Sequence, residues 1–230
     1  LQHSYPGLEV AGEYCPPFRP LTQEEADEVT AIISDANPDI VEASFVDAKG
    51  VMRHVEPSDY KNFENSDISS QAHVKAMMKK PAPLLSSGFT AVEHFTAVVI
   101  SHPLYDSKKA FAGSVNLLIR PELLVDSLLK KTSIPEDYEL WIMQPDGMLI
   151  YDQDKTEIGK MLFTDPLYSD YETLLKLSRK IVSAPAGKGN YIYLSPESDK
   201  KVIKEAIWQS VRLHNSEWRV VLAYRPYEKK

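Results

Sequence analysis

Asp146, Asp152, Asp154 and Glu157 lie close together in the stretch WIMQPDGMLIYDQDKTEIGK, residues 141–160. Carboxylates at this density could hold a divalent cation or share acid/base work. A calcium site wants about six or more oxygens, and the helix-flanked calcium loop wants D-x-D-x-D-G followed by a distal Glu. Here Asp152-Gln153-Asp154 supplies two carboxylates, Lys155 follows at once, and the glycine comes only at 159. The spacing therefore reads as a solvated turn after a strand. With 33 acidic residues in the chain, carboxylate pairs arise by chance, and a glycosidase-like reading has no other support.

His54, His73, His94 and His102 fall in one half of the chain. Zinc needs three or four ligands converging on one point, but no H-x-x-x-H or H-E-x-x-H spacing occurs, so these read as half-buried strand and helix residues. The one cysteine, Cys15 in EYCPPFRP, excludes an internal disulfide and a cysteine-built zinc site. No nucleophile elbow, phosphate loop or dinucleotide fingerprint appears, and Gly113 and Gly187-Lys188-Gly189 read as turn glycines. No catalytic residue, metal or other cofactor is assigned.

The chain has 230 residues, 43% apolar and 26% charged, with net charge −7. That is ordinary for a globular protein, and the lack of a long basic block argues against nucleic acid as a partner. The longest apolar run, Ala97-Val98-Val99-Ile100, has strand length and falls far short of the roughly 18–20 residues that cross a bilayer. There is no signal peptide, and Leu1 reads as the start of a shortened or mature chain.

Residues 1–38 read as a Pro-rich arm followed by a helix, with Thr22 as N-cap, Glu25 as its capping-box partner and Asn37-Pro38 as the stop. DIVEASFVDAKGVMRHVEP reads as a hairpin turning at Asp47-Ala48-Lys49-Gly50. A helix is predicted over Ile68–Lys80, capped by Asp67 or Ser69. Strands follow near 84–91, 93–102 and 110–119, the last two joined around Asp106–Lys109. Pro121 opens another helix. Then the pattern restarts: a hairpin at Gly147, a helix over Leu167–Ser183, a turn at Gly187–Gly189, and strands over 190–195, 201–213 and 217–224. The hairpin glycines Gly50 and Gly147 are 147 − 50 = 97 residues apart, a period that signals domain duplication rather than a solenoid. Each repeat is an α+β unit, an antiparallel sheet with helices on one face.

The chain resembles the double-Cache (tandem PAS-like) extracytoplasmic sensor domains of histidine kinases and chemotaxis receptors. FVDAKGVMRH looks like the opening hairpin. Asp67-Ile68-Ser69 and the helix after it resemble the segment entering the ligand pocket. Ser101–Asp106 with Phe111–Val115 looks like the central hairpin, and MQPDGMLIYDQDKTEIGK and SEWRVVLAYRP match the second module. The resemblance implies a membrane-distal, ligand-binding module over residues 39–119, a connecting helix over 120–136 and a membrane-proximal module over 137–230.

Amino-acid-binding members put an Arg and an aromatic residue near the start of the pocket helix; this chain has Gln71 and His73 there. Where such members place an Asp, this chain reads Val115-Asn116-Leu117-Leu118-Ile119. An α-amino acid held through both of its charges is therefore not expected. Gln71 and His73 do not share a helix face well, but both could reach a pocket at the helix N-terminus, where free backbone N–H groups favour an anion. Neutral His donates and accepts, which suits a small carboxylate or a polar neutral molecule. Tyr60 and Phe89 supply aromatic surface to this distal site, and Ser86, Thr90 and Ser101 supply hydroxyl groups.

The reading is a non-catalytic, ligand-sensing domain of a membrane-anchored receptor of histidine-kinase type, with a small molecule as partner. A homodimer stays open. The alternatives are a secreted or lipid-anchored binding protein of the same fold and, with least support, a hydrolase.

Overall fold

A computed structural model describes residues 40–226, apart from 92, 93, 107, 133, 136 and 195–200. The arm and helix expected over 1–38, with Cys15, lie outside the described residues. The chain divides into two compact units, one ending at Ser87 and resuming over Ala97–Arg120, the other comprising Gly88–Thr96 and Pro121 onward.

In the first unit, β1 (Ile40–Asp47) and β2 (Met52–Glu56) form the expected hairpin. Asp47 closes its turn by accepting the Lys49 and Val51 N–H groups at 2.9 and 3.0 Å, and Gly50 supplies the positive φ, +84°, that only glycine takes without strain. A 3-10 turn at Ser58–Phe63 leads to α1 (Ala72–Lys79), then to β3 (Leu84–Leu85). The two-residue β4 (Phe89–Thr90) belongs to the segment grouped with the second unit. The long strands β5 (Thr96–Tyr105) and β6 (Phe111–Ile119) complete an antiparallel sheet in the order β2-β1-β6-β5-β3.

Helix α1 is shorter than the sequence predicts. Ile68 donates its N–H to the Gly50 carbonyl at 2.9 Å, and Asp67 takes the Ser69 N–H at 2.9 Å in a local turn. These bonds hold residues 67–70 to the hairpin, so the helix begins four residues later, with Gln71 as N-cap.

The second unit repeats the plan. After α2 (Pro121–Leu129) come β7 (Tyr138–Met143), β8 (Leu149–Asp152), 3-10 turns at Lys155–Glu157 and Pro166–Tyr168, and α3 (Glu172–Ser183). Strands β9 (Ala186–Leu194), β10 (Lys201–Leu213) and β11 (Ser216–Tyr224) follow, in a sheet ordered β8-β7-β11-β10-β9. Both sheets thus place the second hairpin strand at the edge and the unit's last strand beside the first. The fold is mixed α/β with two antiparallel sheets.

Three expectations for this unit need correction. Helix α3 starts at Glu172, because Asp165 caps the separate 3-10 turn at Pro166–Tyr168. Helices lie on both faces of the sheet: Leu177 and Ile181 of α3 pack with Trp141, Met143 and Trp208, while Val125 of α2 packs with Leu140, Ile142 and Ile150. Gly187-Lys188-Gly189 is no turn but the start of β9, where Gly187 faces Trp208 of β10. A Cβ on Gly187 would come within 2.3 Å of the indole, so glycine is there to let the ring cross the strand.

Candidate functional site

On the first sheet, β1, β6 and β5 set Ser44, Asn116 and Ser101 opposite one another. All three are buried. The Ser101 hydroxyl donates to Asn116 Oδ1 at 2.6 Å; Ser114, two residues along β6, donates to the same oxygen at 3.3 Å. Asn116 in turn donates from Nδ2 to the Ser114 carbonyl at 3.3 Å, so a second amide hydrogen is left over. Val55 lies opposite Ser44, and Val46 opposite Ser114. Both valines pack with Ile68 and with Val74 of α1, which places the polar row on the sheet face that carries the helix.

The residues named from the sequence divide as follows. His73 is buried in the first turn of α1, and burial depresses its pKa to about 4, so the ring is neutral at pH 7. Gln71 makes no side-chain capping bond. Tyr60 packs on the Val46–Val74 cluster with its ring centroid 6.4 Å from that of Phe63. Ser101 joins the polar row. Ser86 is buried, but its hydroxyl accepts the Val99 N–H at 2.8 Å, a strand-pairing bond. Phe89 and the exposed Thr90 fall in the segment grouped with the second unit. Asn116, the hub of the row, was not among the named candidates; its signal was a lone polar residue inside an otherwise apolar strand run.

The second unit contains a cavity of about 420 Å³, within the size range of small-molecule sites. Glu139, Asp152 and Glu157 line it, with Tyr168, Tyr191 and Tyr193. Lys204 enters from β10, nearly fully buried; its ammonium pairs with Glu139 and sits 3.8 Å from the centroid of the Tyr193 ring. Tyr168 donates to Glu157 Oε2 at 2.7 Å.

The solvated-turn reading holds for Asp146, which accepts the Met148 N–H at 3.0 Å. It holds also for Asp154, which accepts from Thr156 N at 3.0 Å and Oγ1 at 2.7 Å. It fails for Asp152 and Glu157, which β8 and the following turn aim at the cavity. Burial, reinforced by the negative charges of Glu157, Asp154 and Glu139, pushes the Asp152 pKa up to about 7. Among the described residues, no group of three or more His, Cys, Asp or Glu side chains is placed to hold a metal ion, and no helix is long and apolar enough to cross a membrane.

Residues 18–121 match the family model described as "HK/GC/Chemotaxis protein-like, sensor domain". The match spans 104 of the 230 residues. The chain is similar to an extracellular ligand binding receptor from Desulfohalobium retbaense DSM5692, at 27% identity and a TM-score of 0.76. The match covers 94% of this chain and 36% of the receptor, so the chain spans about a third of that protein's length.

The fold is shared at lower identity with the periplasmic sensory domain of the Campylobacter jejuni chemoreceptor Tlp1: 16% identity, TM-score 0.60, with 96% of this chain and 86% of that one covered. It is shared also with the ligand binding domain of the Pseudomonas aeruginosa PAO1 amino acid chemoreceptor PctB in complex with L-Gln: 12% identity, TM-score 0.63, with 96% and 84% covered. No curated protein matches the chain.

Proposed function

We propose that the chain is the extracytoplasmic, non-catalytic sensor region of a membrane-anchored receptor of histidine-kinase type, built as two PAS-like modules. Residues 39–119 form the membrane-distal module, 120–136 the connection and 137–230 the membrane-proximal module. A small polar or anionic molecule binds in the distal module, between the inner sheet face and α1. The observation that carries this reading is the buried row Ser44–Asn116–Ser101. Burying polar groups where Val or Leu would pack costs stability unless each is hydrogen-bonded, and the row keeps a spare amide hydrogen for a ligand. Neutral His73, Gln71 and Tyr60 supply further polar and aromatic contacts. Binding stabilises one of two module arrangements by its differential affinity and so shifts the receptor's equilibrium.

Thermal-shift screening of small carboxylates and polar neutral metabolites tests the site. A ligand at about 100 times its Kd adds roughly 2.7 kcal/mol of stability, and Asn116→Leu or His73→Leu should abolish the shift it produces. A shift unchanged in both variants would show that the ligand binds elsewhere.

A further inference from the structure

Four acids, Glu139, Asp152, Asp154 and Glu157, and four tyrosines line the cavity of the second unit, and that set has its own chemistry. Among the described residues its one lining cation, Lys204, is already engaged by Glu139 and by the Tyr193 ring. Neither Asp152 nor Glu157 has a Lys or Arg ion-pair partner among the described residues. Glu157 is held at the wall by the Tyr168 hydroxyl, and Asp152 keeps one backbone bond, from Asp154 N at 2.8 Å. The two carboxylates, with no Lys or Arg pairing among the described residues, lie beside Tyr168 and Tyr191, both nearly fully buried.

We propose that this cavity is a second ligand site, independent of the distal one, and that it takes a small organic ammonium ion. Carboxylates and electron-rich ring faces attract a cation together, and aromatic rings favour alkylated ammonium groups in particular. An anion would meet two uncompensated carboxylates. A neutral molecule would gain nothing from the Glu157 charge and would leave Asp152 without a cation to favour its ionised form. The raised pKa of Asp152 agrees with this: burial and the neighbouring carboxylates disfavour its negative charge, and a cation beside it would restore it.

The test is isothermal titration of the 230-residue chain with choline and putrescine as ammonium probes. Succinate is the anionic control, and 3,3-dimethyl-1-butanol is the uncharged carbon isostere of choline. Asp152→Asn and Glu157→Gln keep the hydrogen-bond acceptors and remove the charge, so both variants should fold. Asp170→Asn removes an equal charge at an exposed position of the same unit.

The expected result is saturable binding of choline or putrescine, at least about tenfold tighter than the isostere, weakened about tenfold or more in the Asp152→Asn/Glu157→Gln double variant and unchanged in Asp170→Asn. Preference for succinate, equal binding of the isostere, no binding of either ammonium probe, or equal loss in Asp170→Asn would each overturn it. Asn116→Leu separates the two sites: it should abolish the distal response and leave ammonium binding intact, and loss of ammonium binding in that variant would refute their independence.

Discussion

Ser101 of β5 donates its hydroxyl hydrogen to Asn116 Oδ1 on the neighbouring strand at 2.6 Å, with both residues buried and directly opposite in register. The bond fixes the Asn116 amide so that its Nδ2 side carries the remaining donors.

That pair should behave as a unit. Asn116→Ala strands the Ser101 and Ser114 hydroxyls and is expected to destabilise the chain by about 1–3 kcal/mol. The Ser101→Ala/Asn116→Leu pair should cost less than the sum of its single changes, by roughly 0.5–1.5 kcal/mol. Urea unfolding of the four proteins in the cycle measures the coupling, and strict additivity would show that the two side chains act independently.

His73 should make the chain acid-sensitive. Its folded pKa lies near 4, against 6.5 for the free side chain, so the unfolded chain binds more protons between those values. Stability is complete above about pH 6.5 and is lost as pH falls towards 4, by at most about 3 kcal/mol. Replacing His73 with Gln should remove this slope from a plot of urea midpoint against pH.

Asp152 acts in the opposite sense. Its pKa rises from 3.8 to about 7 in the fold, where Glu139, Asp154, Glu157, Tyr168, Tyr191 and Lys204 surround it. Here the folded chain binds more protons. The neutral carboxyl contributes fully below about pH 4, and that contribution is lost as pH rises through 7, by at most about 4 kcal/mol before solvent screening. Asp152→Asn should therefore stabilise the protein at pH 8 and change little at pH 4. Because the two residues titrate with opposite sign, the parent chain should show a flatter pH profile than either single variant.

Gly187→Ala should damage the second sheet. The new methyl would meet the Trp208 ring, whose Nε1 donates to the Ala184 carbonyl at 3.1 Å. Displacing the indole should cost about 1–3 kcal/mol and alter the near-ultraviolet circular dichroism. An unchanged spectrum with wild-type stability would mean that the ring moves aside freely.

Local chemistry was enough to locate both hairpins. Asp47 and Gly50 shape one turn, Asp146 and Gly147 the other, and the 97-residue spacing between the glycines announced a repeat that the two matching strand orders display. Alternating polarity likewise located the long strands, because a half-buried sheet imposes its period of two on the sequence. What sequence could not supply was which side chains meet. Ser101 and Asn116 are fifteen residues apart and come together only through the β5–β6 register. Gly187 looked like a turn because glycine's need for space is indistinguishable, in one dimension, from its need for positive φ; only the ring of Trp208 tells them apart.

The carboxylates of residues 146–157 show the same division. Sequence determined that Asp146 and Asp154 would close turns, since those bonds run to backbone two residues away. Tertiary structure alone decided that Asp152 and Glu157 face a cavity, because its walls come from strands and turns as distant as Glu139 and Lys204. Desolvation and charge at that site are sums over these distant neighbours, and such sums exist only once the chain has folded.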